Sequence, residues 1–198
     1  IFDLGGAIMD LRKIKDLIEE AVLNSEYLKN EGSLATYIPE LAKVRADNYG
    51  VCLVKTNGDI VTSGDSEIKF SIQSISKVID LIMALEDVGE GKVFSKVGTE
   101  PTEYKFNSIR PIKEKAANPL INAGAITTCS LIKGSNVDEK FNRVIDKLKK
   151  LSNSDDVVFL EEIYHSEMKT TDINRSIAYY LKSIGIIEDD AEGILDLY

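Results

Sequence analysis

Phe70–Asp87 reads FSIQSISKVIDLIMALED. From Ile75 onward the apolar residues Ile75, Val78, Ile79, Ile82 and Leu85 recur at spacings of three and four, the period of an amphipathic helix with a core-facing stripe. Neither Gly nor Pro interrupts the pattern before Gly89, so a helix of about four turns is expected. Lys77 is set among these apolar positions, three residues after Ser74 and therefore close to it on the helix surface. A serine hydroxyl is a poor nucleophile until a neighbouring base takes its proton, and a desolvated lysine can be that base. Burial and the positive end of a helix both disfavour the ammonium form, and the same helix start can aim backbone N–H groups at a forming oxyanion. Ser-x-x-Lys at the mouth of an apolar helix thus fits an acyl-transfer device.

Spacing alone does not single out this pair. Ser-x-x-Lys also occurs at Ser66–Lys69, Ser130–Lys133 and Ser166–Lys169. Only the Ser74 copy joins a helix start to a long apolar continuation; the Ser130 copy ends an apolar run, where lysine suits a helix C-terminus. A plainer reading stays open, in which Ser71 or Ser74 is an N-cap and Lys77 snorkels to solvent.

Working outward, the 198 residues suffice for one sizeable domain or two small ones. A hydrophobic content of 43% with 29% charged residues fits an ordinary soluble globular protein. The net charge of -9 argues against nucleic-acid partners and anionic membrane surfaces, and no apolar run reaches about 18 residues, the length of a membrane span. The start, IFDLGGAIMDLRK, lacks a basic segment followed by a long apolar stretch and so is unlike a secretory leader. Cys52 and Cys129 lie in apolar runs without metal-ligand spacing and read as small buried thiols of a reducing cytoplasm. His165 is the only histidine, which excludes a multi-histidine metal site and leaves it a surface or packing residue.

Leu11, Ile14, Leu17, Ile18 and Ala21–Val22 mark an amphipathic helix ending near Asn30–Gly32. ATYIPELAKV follows as a turn and a short helix with Pro39 in its first turn. In VCLVKTNGDIVTSGD two β-rich runs flank Asn57-Gly58, which suits a type I′ hairpin. VGTEPTEYKFNSIRPIKEKAANP is mostly loop. A second apolar helix is expected from Asn118 as N-cap and Pro119 at the first position, with Ala123, Gly124 and Ala125 permitting another backbone to come close. Further helices are expected over 141–151, with Phe141, Val144, Ile145, Leu148 and Leu151 on one face, and after Asp172, with Ile173, Ile177, Tyr180, Leu181 and Ile184 on its stripe and Gly185 beyond its end. The class is α+β: a mainly helical region plus one hairpin, which cannot stand alone and needs helices or further strands to cover it.

At this point six motifs, in order, resemble the serine-dependent glutaminases, which share the fold of the β-lactamases and penicillin-binding proteins. They are YIPELAK, FSIQSISK, the EP…FNS loop, NPLINAGAI, the SE of HSEMK followed seven residues after its Glu by Asn174 and then AYYLK, and GILDLY, together running from Tyr37 to Tyr198. INAGAI and GILDLY separate the chain from the penicillin-recognising proteins.

The resemblance implies hydrolysis of L-glutamine to L-glutamate and ammonia by one catalytic domain spanning residues 1–198. On it, Ser74 is the nucleophile, Lys77 its activating base or proton relay, and Tyr37 a tyrosine lying over the reacting amide. Gln73 would line the substrate pocket, while Asn122, Glu167, Asn174 and Tyr198 would hold the amino acid end of glutamine. A zwitterionic amino acid needs a carboxylate for its ammonium and donors for its carboxylate, and Glu167 supplies the first while Asn122, Asn174 and Tyr198 supply the second. Taken singly, Asn122 also reads as a first-turn helix residue, Glu167 as a solvated acid, Asn174 as a cap-region residue and Tyr198 as a frayed terminus. The resemblance implies no metal and no organic cofactor, and a cytoplasmic homodimer or homotetramer.

Family members continue past GILDLY into a segment with another active-site tyrosine and into strands that complete the sheet. The chain is therefore expected to lack the family's carboxy-terminal strands. A catalytically inactive glutamine-binding or assembly module is the alternative that this leaves.

Overall fold

In the computed structural model, which describes residues 10–198, the first amphipathic pattern forms α1 (Leu11–Ser25), opened by Asp10, whose carboxylate accepts from the Arg12 amide at 3.3 Å. The stretch read as unlike a secretory leader begins outside the described residues. Ile14, Ile18 and Val22 of α1 are half-buried, and the helix packs against the second strand of the hairpin. A 3-10 turn, Glu26–Asn30, ends the helical run where expected, and PELAK forms a 3-10 helix with Pro39 in its first turn.

The hairpin pairs β1 (Gly50–Val54) with β2 (Ile60–Gly64), antiparallel, in register from Gly50↔Gly64 to Val54↔Ile60. Its turn is not type I′. That turn needs positive φ at two central residues, and here only Gly58 has it, at 90°. Instead the Gly58 N–H donates to the Lys55 carbonyl (2.9 Å) and the Lys55 N–H to the Asp59 carbonyl (2.9 Å). This is a three-residue loop closed by a left-handed glycine. Asn57 holds it from the side, accepting from the Asp59 amide and donating to the Asp59 carboxylate. Among the described residues the sheet has these two strands. Cys52, expected to be buried, is exposed, because a two-stranded ribbon leaves part of its surface open.

The chain divides into two compact units, one ending at Ser71 and the other Ile72–Tyr198. The second is built of helices and one long loop, 97–121, pinned by isolated bridges of Val97 and Ile112 to Ala116. A 3-10 turn, Gln73–Ile75, leads into α2 (Ser76–Lys96), which breaks at Gly89 (φ 79°) where the apolar pattern also ends. The buried face of α2 differs from the expected stripe. Lys77, Asp80, Met83 and Ala84 are buried, whereas Ile75 and Val78 are exposed. Ile79, Ile82 and Leu85 of the stripe are half-buried, so the inward face only partly matches it; apolar residues cover well over half of this helix's circumference, and periodicity alone does not settle which side is most buried.

The central element of this unit is α3 (Asn122–Ser130), buried from Asn122 to Cys129 and packed against α2, α6 (Asp172–Ser183) and α7 (Ala191–Leu197). It starts later than expected. Asn118 caps a turn, accepting from the Leu120 amide at 3.0 Å, and the helix opens only after the extended Ile121. That turn lies against the helix so closely that a Cβ on Gly124 would collide with the Asn118 carbonyl. The small residues at 123–125 thus do admit a neighbouring backbone.

α4 (Val137–Ser152) is capped by Asn136 and closed by Asn153 in the left-handed conformation, and α5 is Glu161–Met168. α6 ends in a Schellman arrangement: the Gly185 amide donates to the Lys182 carbonyl and the Ile186 amide to the Leu181 carbonyl. Ile177 and Leu181 of its expected stripe are buried with Ala178, while Ile173, Tyr180 and Ile184 are exposed. α7 starts at Asp190, whose carboxylate accepts from the Gly193 amide.

Candidate active site

Ser74 lies in the 3-10 turn at the entrance to α2 and is exposed to solvent. Gln73, directly before it, has φ 43°; apart from the helix-closing Asn153 it is the only described non-glycine residue with positive φ. Such a backbone state costs about 1–3 kcal/mol and persists where surrounding structure enforces it.

One turn along, Lys77 is 3% exposed. Its Nζ donates to Asn122 Oδ1 at 2.7 Å and to the Leu120 carbonyl at 3.3 Å. Asn122 Nδ2 in turn donates to Asn174 Oδ1 at 2.8 Å, so one chain of bonds joins α2, α3 and α6. Lys77 Nζ also faces the rings of Phe106 and Tyr198, 5.7 and 5.9 Å from their centroids, within cation–π range. Phe106 is placed there by its own carbonyl, which accepts from the Asn122 amide at 2.8 Å.

Burial lowers the Lys77 pKa, opposed by the charges of Cys129, Asp80 and Glu167. Glu167, half-buried on α5, is raised by desolvation and pulled back by Lys77. Asp80, 4% exposed, is pushed up to about 7 by burial, against a hydrogen bond from Cys129 and the charge of Lys77. These are a base disposed to lose its proton and acids disposed to keep theirs.

The structure therefore brings Lys77, Asn122, Asn174 and Tyr198 together, with Glu167 in electrostatic reach and Ser74 and Gln73 at the helix entrance. Tyr37 belongs to the unit that ends at Ser71, where it is 63% exposed just before the Pro39–Lys43 turn. His165 is exposed, its ring against Tyr164. Among the described residues no cluster of His, Cys, Asp or Glu could hold a metal ion, and no helix is long and apolar enough to cross a membrane. Sequence reasoning missed Phe106, the Leu120 carbonyl, Asp80 and Cys129. Of these only Asp80 carried a signal, since it follows Lys77 by three residues on one helix.

The family model described as Glutaminase matches residues 32–198. Glutaminase 1 of Clostridium perfringens is 50% identical over 189 residues, covering 92% of this chain and 60% of that protein. The solved structure of the probable glutaminase YbaS superposes with a TM-score of 0.91 at 37% identity, over 96% of this chain and 62% of that one. A covalent complex of a Bacillus subtilis glutaminase with 5-oxo-L-norleucine, formed by reaction with 6-diazo-5-oxo-L-norleucine, superposes with a TM-score of 0.81 at 32% identity, over 93% of this chain and 58% of that one. The α+β fold is thus shared with these proteins, and the chain spans about 60% of the length of the curated relatives it matches.

Proposed function

The chain belongs to the glutaminase family, and on that premise we propose that it serves the hydrolysis of L-glutamine to L-glutamate and ammonia through an acyl-enzyme on Ser74. Lys77, as the free amine, takes the proton of Ser74 Oγ while the oxygen bonds to the side-chain amide carbon. The C–N bond then breaks, the proton passes to the nitrogen, and ammonia leaves an ester on Ser74. Water attacks that ester, Lys77 accepts its proton, and glutamate departs as Ser74 regains its hydrogen.

The observation that carries this reading is a buried lysine with a lowered pKa one helical turn from an exposed serine. The Bacillus subtilis relative supports it, because 5-oxo-L-norleucine has its ketone carbon where glutamine has its amide carbon. In this reading Glu167 receives the substrate ammonium; Asn122, Asn174 and Tyr198 serve its carboxylate end; Gln73 lines the pocket; and Tyr37 lies over the amide. We place the enzyme in the cytoplasm, as a homodimer or homotetramer formed from one catalytic domain per chain.

Ser74→Ala is expected to abolish ammonia release while leaving glutamine binding by calorimetry largely intact, since the hydroxyl forms the bond but is a minor binding contact. Substantial residual turnover in that variant would overturn the assignment.

A further inference from the structure

Asp80 is a carboxylate in an expensive place. It is 4% exposed, and among the described residues no basic side chain lies within ion-pair distance of it. A buried carboxylate is costly unless paired or hydrogen-bonded. It follows Lys77 by one turn on the inward face of α2, and its bonding partner is the thiol of Cys129, fully buried on α3. Nothing in the reaction as derived uses either residue.

The groups facing this pair come from every neighbouring element. Lys77 is met by Asn122 from α3, Asn174 beyond it on α6, Glu167 from α5, and the rings of Phe106 and Tyr198. Cys129 also feels Lys140 from α4. Burial holds the Cys129 thiol neutral well into the alkaline range, so the negative charges left to act on Lys77 are Asp80, as it ionises around pH 7, and then Glu167.

We propose that Asp80, held by the Cys129 thiol, is a positioning residue for the reaction: it is the buried counter-charge that sets the protonation of the Lys77 amine. When Lys77 takes the Ser74 proton, an ammonium forms on a side chain that is only 3% exposed. Where Asp80 is ionised, its carboxylate steadies that charge and takes no part in the proton transfer itself. The role in turnover rests on Lys77 being the base proposed above; the charge relation between the two side chains does not.

Carbon NMR of the protein labelled at the lysine ε-carbon tests the relation directly, with Lys77→Arg assigning the signal. Asp80→Asn should move the Lys77 titration to lower pH by about one unit or more, the effect of removing a nearby opposite charge. Glu167→Gln should move it less. The unsubstituted protein needs no variant: the Lys77 signal should carry a second inflection where the labelled Asp80 carboxyl titrates. An unmoved midpoint in Asp80→Asn, a larger shift in Glu167→Gln, or a missing inflection would each overturn the proposal. In the ammonia assay the acid limb of Asp80→Asn should move in the same direction, and a limb that stays put would remove the positioning role. Lys77→Ala with ammonia release intact would instead sink the proposed function while leaving the NMR result standing.

Discussion

Among the described residues Glu167 has no direct side-chain partner: it is half-buried, its carboxyl is held above the usual range by burial, and the longer-range charge of Lys77 offsets this. A carboxylate so placed gains from an arriving ammonium, which is the group that a free amino acid brings. Glu167→Gln should weaken glutamine binding by the value of a charge-assisted hydrogen bond, about 1.5–3 kcal/mol, or roughly 10- to 100-fold in Kd. Calorimetry reads this, and unchanged affinity would show that the ammonium is held elsewhere. With the amino acid end anchored, asparagine should turn over poorly, because its amide stops one methylene short of Ser74. At this scale the sequence was partly legible. Ser74 and Lys77 stand out by their place on an apolar helix, and Asn122 and Asn174 are joined by a bond no spacing reveals, 52 residues apart. The burial of Asp80 follows from the packing of α2 on α3, which a single helical pattern does not encode, and no periodicity signals the positive φ of Gln73.

The elements themselves were more readable than their faces. Helices were expected where α1, α2, α4 and α6 lie, and the hairpin lies where its two β-rich runs put it, but its register is one residue off: a type I′ turn on Asn57-Gly58 would pair Val54 with Val61, and the structure pairs Val54 with Ile60. The turn type differed because Gly58 alone takes positive φ and Asn57 uses its side chain instead. On α2 and α6 several apolar residues face solvent, since the inward side is chosen by what α3 can accommodate. That accommodation is demanding. α3 is buried along nearly its whole length, and the turn at Asn118–Leu120 leaves no room for a methyl at position 124. Gly124→Ala should therefore destabilise the protein despite the better helix propensity of alanine. Overpacking of this kind typically costs about 1–3 kcal/mol, and here it should also displace Leu120, whose carbonyl accepts from Lys77. Urea denaturation should show a lower midpoint at unchanged slope. A variant as stable as the parent would mean that the turn yields freely.

For the molecule as a whole, these buried charges compete over pH. The carboxyls of Asp47, Asp59, Glu139 and Glu188 are held below their usual range by neighbours, but all lie at the surface, Asp59 half-buried in its hairpin turn and the others exposed, and contribute little to stability. Asp87, bonded to Arg143 and to the Lys133 amide, is a firmer case of the same sign, losing its contribution as pH falls through its lowered value. Asp80 works in the opposite sense. Its folded pKa of about 7 stands above the ordinary 3.8, so the folded state binds the extra proton. The stability this brings is fully present below about pH 4 and is lost as pH rises through 7. At about 1.4 kcal/mol per pH unit the span amounts to a few kcal/mol at most. Glu167 adds in the same direction, and Lys77, lowered from 10.5, adds stability only as pH rises above its folded value. The protein should therefore resist urea better at pH 5 than at pH 8. In Asp80→Asn, which keeps the shape and removes the titration, most of that difference should vanish and stability at pH 8 should rise. Parallel pH profiles for variant and parent would place the titrating charge outside the α2–α3 contact.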